Sequence, residues 1–100
     1  MVNTTGQDNV FIGNIAGTSH TTGRRNVFVG SQTGDAITTG ESNVAIGFKA
    51  LDNTITGSDN IAIGENAGKT LLGNNNLVFG TSAGANIGTG NENILSLIHI

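Results

Sequence analysis

Glycine and asparagine recur along this chain at a fixed distance. Gly6, Gly23, Gly40 and Gly57 stand seventeen residues apart, Gly73 follows after sixteen and Gly90 after another seventeen. Three residues beyond each glycine stands an asparagine: Asn9, Asn26, Asn43, Asn60, Asn76 and Asn93. A unit of this length is too short for a helical hairpin or a propeller blade. It suits one coil of a β-solenoid, with two short strands and two turns, whose edges pair with the coils before and after it.

Each Asn is followed by an apolar triplet. Its first member is Val10, Val27, Val44, Ile61, Leu77 or Ile94, its middle member Phe11, Phe28, Ala45, Ala62 or Val78, and its third Ile12, Val29, Ile46, Ile63 or Phe79. A second glycine closes the triplet at Gly13, Gly30, Gly47, Gly64 and Gly80, and a small residue follows at Ala16, Thr33, Ala50, Ala67 and Ala83. Short β-branched runs between glycine turns read as strands. The chain has no proline, which would delete a ladder donor in a backbone paired on both sides. The pattern predicts an all-β chain, a parallel β-roll or β-solenoid of about six 17-residue coils over residues 1–94. A single coil buries too little apolar surface to offset its ordering entropy, so stacking must supply the rest. Residues two apart share a strand face, and placing the first and third members inside sends the middle column outward. Phe11, Phe28, Ala45, Ala62 and Val78 would then form an exposed apolar stripe, the expected interface of a homo-oligomer.

The Asn column, Asn9 to Asn93, is expected to be a structural ladder of stacked amides. Such a ladder needs no ligand, and amides without carboxylates make poor cation sites. The acids are read as mostly out of column, with Asp8, Asp59 and Glu92 sharing one and alternating with Arg25, Ser42 and Asn75 as a solvated turn. His20 takes a position otherwise held by Ile37, Thr54, Leu71 and Ile87, which marks it as a residue of the core edge. No Ser, His and Asp set recurs in register, and Gly88 and Gly90 begin no phosphate loop. The expectation is a non-enzymatic chain without metal or cofactor. Four basic residues against seven acids disfavour nucleic acid, and no apolar run approaches the roughly 18 residues of a membrane span. The first ten residues lack the basic and apolar regions of a signal peptide. Thr5, Thr22, Thr39, Thr56 and Thr89 align, with Thr4, Thr21 and Thr38 beside them, so an ice-binding array is a third reading. Strict strand alternation would prevent adjacent threonines from presenting two parallel rows.

The recurring pattern, clearest as TTGESNVAIGFKA and ITGSDNIAIGENAG, resembles the head repeats of YadA-like trimeric autotransporter adhesins. It also resembles the repetitive shafts upstream of the intramolecular chaperone of endosialidase in tail fibres and bacterial surface proteins. The likeness covers nearly all of residues 3–94. It implies a left-handed roll, three of which pack as a homotrimer, displayed outside the cell on the bacterial surface or on a virion tail. The implied partner is host matrix, a cell-surface protein or a glycan receptor. Adhesin head repeats are commonly a few residues shorter than these, and Phe11 and Phe28 replace a small residue that the pattern favours. The unit length leans toward the shaft proteins.

After Ile94 the register expects a glycine-closed triplet, but the chain continues Leu95, Ser96, Leu97. The six residues LSLIHI resemble the in-frame translation of CTGTCTCTTATACACATC, the transposase mosaic end of tagmentation adaptors. Residues 95–100 therefore read as a non-native tail on a fragment, with a genuine apolar terminal strand as the alternative.

Overall fold

The computed structural model describes residues 6–35, 37–52, 56–69 and 73–84, together with the backbone of residues 94–96. It is all-β, with parallel strands in one sheet arranged as a β-solenoid of about four turns. The strands are β1 (Val10–Ile12), β2 (Val27–Val29), β3 (Val44–Ile46), β4 (Ile61–Ile63), β5 (Leu77–Phe79) and β6 (Ile94–Ser96), lying side by side in chain order. The register is the repeat itself: Val10 pairs with Val27, Val27 with Val44, Val44 with Ile61 and Ile61 with Leu77. The sixteen-residue unit loses its residue away from the sheet, so the pairing is undisturbed. Ile94, Leu95 and Ser96 continue the sheet beside Leu77, Val78 and Phe79, so two residues of the expected non-native tail stand in strand register. Residues 97–100 lie outside the described residues.

Coil-to-coil hydrogen bonding does not stop at the strands. Gly17 N donates to the Thr33 carbonyl at 3.0 Å, Gly34 N to Ala50 at 2.9 Å, Leu51 N to Ala67 at 3.0 Å and Gly68 N to Ala83 at 2.8 Å, carrying the ladder around the turn that follows each strand. Two corners need left-handed backbone. The residue before each ladder Asn has φ of 57–60° at Asp8, Arg25, Ser42, Asp59 and Asn75, which turns the chain so that the Asn side chain enters the coil. At Gly47, which closes β3, φ is 128° and a Cβ would lie 2.7 Å from the Gly64 backbone, so stacking leaves no room for a side chain.

Inside the coil the asparagines interlock. The Oδ1 of Asn9 accepts from the backbone N of Asn26 at 2.9 Å and from its Nδ2 at 3.2 Å. Asn26 repeats this toward Asn43 at 2.9 and 3.1 Å, and Asn60 toward Asn76 at 3.0 and 3.1 Å. Each Nδ2 also donates to a glycine carbonyl of the next coil: Asn26 to Gly40 and Asn43 to Gly57, both at 2.8 Å, and Asn60 to Gly73 at 2.9 Å. An amide has two donors and two acceptor lone pairs, and at Asn26 all four are used. Aspartate could accept but not donate, and would bury a charge; glutamine would be one methylene too long.

The rest of the core is matched by size. Phe11 and Phe28 stack at 5.0 Å with an 8° interplanar angle. The glycine in left-handed conformation that follows, Gly34 in this coil, would place a Cβ 2.7 Å from the Phe28 ring. In the next coil Ala45 replaces the phenylalanine, and Leu51, fully buried at φ 52°, takes the glycine's position. The leucine occupies the volume that the missing ring releases, at the cost of a backbone conformation which branched-free glycine adopts without strain.

Two stability outcomes are expected from this interior. Asn43→Asp should destabilise the fold by about 3 kcal/mol near neutral pH, because it removes two donors and buries a charge without a partner. Ala45→Phe alone should cost about 2 kcal/mol through overpacking against Leu51, and Ala45→Phe combined with Leu51→Gly should recover most of it. Urea unfolding followed by circular dichroism reads both.

Candidate functional site

The outer face of the sheet is the surface most unlike a solvated one. The alternation of the strands is fixed by the residue that precedes them. Because the ladder Asn points inward, the residue two further on points inward too, and the first and third members of the triplet face out. Thus Phe28, Ala45, Ala62 and Val78 are fully buried, and Phe11, in the first coil, is half-buried against the Phe28 ring. The expected interface column is therefore the core. Phe28, Ala45, Ala62 and Val78 cannot meet a partner chain without unfolding the coil, and Phe11 packs in the same inward column, so the expectation that these five form an oligomer interface is corrected here.

The stripe that does face outward is wider. Ile12 is 58% exposed, Phe79 55% and Val10 46%, and Ile46, Ile61 and Leu77 are also exposed. Val27, Val29, Val44 and Ile63 are half-buried by their neighbours on the same face. All ten outward residues of β1–β5 are aliphatic or aromatic, two columns side by side across five strands. At a rung spacing of about 4.8 Å this face runs roughly 19 Å along the stack without a polar side chain. Single exposed apolar residues are ordinary, but a contiguous face of this kind marks an interaction surface.

The remaining sequence candidates are placed as follows. The ladder asparagines from Asn26 to Asn76 are buried, with Asn9 half-buried at the first coil; Asn93 lies outside the described residues. His20 is fully buried, its ring edge-on to Phe11 at 5.1 Å and to Phe28 at 6.1 Å, a core residue as its column suggested. Its Nε2 lies 3.4 Å from Asn26 Nδ2, and its Nδ1 is buried without a hydrogen-bond partner. The turn column around Arg25 is solvent-facing, with Arg25 and Glu41 forming an exposed ion pair at 3.4 Å. Thr21 and Thr22 lie in a bend between inward-facing His20 and Gly23, so neither is buried; the same holds for Thr38 and Thr39. Neither threonine of these pairs is sealed inside the coil, because a bend suspends the alternation of a strand. Thr4, Thr5 and Thr89 lie outside the described residues.

One column escaped the sequence reading. Thr18, Asp35, Asp52 and Lys69 are seventeen residues apart and occupy successive coils. Thr18 Oγ1 donates to Asp35 Oδ1, and Asp52 stands on the next rung. Burial pushes the Asp52 carboxyl above its ordinary value, the Asp35 charge pushes it further, and Lys49 and Lys69 pull it back. The signal was the spacing of Asp35 and Asp52 itself, which equals the repeat.

Among the described residues no group of three or more His, Asp and Glu side chains could hold a metal ion, and no helix is long and apolar enough to cross a membrane. No protein-family model, curated protein or solved structure matches the chain.

The two faces of the strands should respond oppositely to charge. Ile46→Lys is expected to change the stability of the isolated chain by no more than about 0.5 kcal/mol, since the position faces water. Ala45→Lys, one residue away, should abolish cooperative unfolding, because it drives an unpaired charge into the coil. Thermal melts of the two variants against wild type, at dilutions where every chain is monomeric, check the assignment.

Proposed function

We propose that the chain is a segment of a non-enzymatic rod for surface attachment, built from about six coils and assembled as a homotrimer through the outer face of β1–β5. The observation that carries this is the unbroken apolar face of Val10, Ile12, Val27, Val29, Val44, Ile46, Ile61, Ile63, Leu77 and Phe79. Exposed alone, it would be an aggregation hazard; against two copies of itself, it becomes an interior. Its length grows with every coil added, so the association strengthens with rod length without any new kind of contact. Three parallel rods present three identical tips, and weak contacts at each tip combine by avidity.

The resemblance to YadA-like adhesin heads supports a left-handed trimer on the bacterial surface that binds host matrix, a cell-surface protein or a glycan. The seventeen-residue unit favours a second reading, a structural shaft of a tail fibre or surface protein ahead of a self-cleaving chaperone domain. In both readings the segment is extracellular and the coils do mechanical work. Genomic sequence continuing beyond the Ile94 codon separates them: a coiled-coil stalk and barrel anchor mark the adhesin, and a chaperone domain marks the shaft. The same sequence tests the non-native origin of residues 95–100.

Sedimentation equilibrium of the full chain should give three times its 10.1 kDa mass. Ile46→Asp combined with Ile61→Asp should shift it to the monomer mass with the β circular dichroism spectrum retained. A wild-type monomer at the highest soluble concentration, or a trimer that survives both substitutions, would overturn the assembly.

A further inference from the structure

We propose that Asp35 and Asp52 form a proton-operated clamp between the second and third coils, which makes this stretch of the rod tighter in mildly acidic surroundings than at neutral pH. The geometry is that of a ladder. Parallel in-register stacking puts equivalent residues of neighbouring coils about 4.8 Å apart along the axis, and the repeat makes Asp35 and Asp52 equivalent. Both are half-buried in the corner that follows the strand. Here the two coils are joined by Gly34 N donating to the Ala50 carbonyl at 2.9 Å and Lys49 N donating to the Ser31 carbonyl at 3.0 Å, so the backbones that carry the two carboxylates cannot move apart without breaking the ladder.

The charged and polar groups around the pair come from three coils. Thr18, one rung before, donates its hydroxyl to Asp35 Oδ1. Lys49, in the same coil as Asp52, and Lys69, one rung after it, are the cations that act on Asp52. The lysines oppose the repulsion between the carboxylates, and burial, the largest effect on Asp52, together with the Asp35 charge keeps the balance upward. At neutral pH two like charges therefore sit on adjacent rungs. Uptake of one proton by Asp52 removes the repulsion and gives its carboxyl an O–H that can donate to the Asp35 carboxylate, the way neighbouring carboxyls share a proton.

The sign follows from linkage. A carboxyl whose folded value lies above its unfolded one binds its proton more tightly in the fold. Its stabilising contribution is complete below the unfolded value of 3.8 and is lost as pH rises through the raised folded value. This runs against ordinary acid denaturation, so it must be read as a difference between two chains at the same pH. Other carboxylates then cancel, as does any pH effect on assembly.

The test is a set of thermal melts of the full-length wild type, Asp52→Asn and Asp35→Asn, at pH 7 and at pH 4. Asp52→Asn removes the repulsion permanently. It should melt a few degrees above wild type at pH 7, with the gap closing at pH 4 and shrinking at pH 7 in about 0.5 M NaCl. Asp35→Asn should reproduce the closing gap, because it deletes the other charge. A gap of the same size at both pH values would show a packing effect of the amide and overturn the clamp, as would no gap at pH 7 in either variant. Asp52→Asn that closes the gap while Asp35→Asn does not would also overturn it, since burial of Asp52 alone would then account for the effect.

Discussion

A buried primary amide that is fully paired in both directions sets the terms for everything else in this chain. The Asn in each coil holds the coil before it and the coil after it through side chain and backbone at once, at 2.8–3.2 Å. Sliding one coil by a residue would leave a buried donor or acceptor unpaired, at a cost of roughly 1–3 kcal/mol for each group. Register in a short parallel strand of three residues is otherwise weakly specified. Here the side chains specify it, and strands too short to be stable alone become one sheet.

The same amide fixes which way the strands face. With Asn inward, Phe28 must be inward and Val27 and Val29 outward, and the left-handed turn at Arg25 is the device that delivers the Asn to the interior. The core is consequently thin: beside the Asn, the second coil buries Phe28 from the strand, Thr33 from the turn that follows it, and Ile37. Adjustments are made within the coil. Phe28 stands with Gly34, and Ala45 with Leu51, so the second and third coils exchange volume between the same two positions.

The sequence made the coil length, the strand positions, the parallel order and the Asn column readable, because each follows from strict repetition. It also contains the facing of the strands, which the apolar triplet taken by itself reverses. An inward Asn and an inward first triplet member are adjacent residues, and a strand cannot bury both; taking the ladder as the fixed point would have put Phe11, Phe28, Ala45, Ala62 and Val78 inside. The Asp35 and Asp52 column was legible by spacing but hidden by its chemistry, since Thr18 and Lys69 share it and break the impression of an acidic row. What repetition alone could not show was the bend at Thr21 and Thr22, where the alternation rule lapses, or the exchange of volume between residues 45 and 51. Both depend on how the chain crosses the coil, a matter of three-dimensional closure that no single column reports.

Hydrogen bonds that run parallel to the long axis have a mechanical meaning. A rod pulled from its two ends does not shear these bonds together, as a sheet pulled along its strands would; it loads the terminal rung first. Each coil released frees seventeen residues, about 60 Å of contour at the extension of a stretched chain. Under a retracting probe the force record should therefore be a train of even steps of about that length, at a modest and nearly constant force. A filament with this response lengthens by many times its folded height before it parts, and it can re-form one coil at a time when the load is withdrawn.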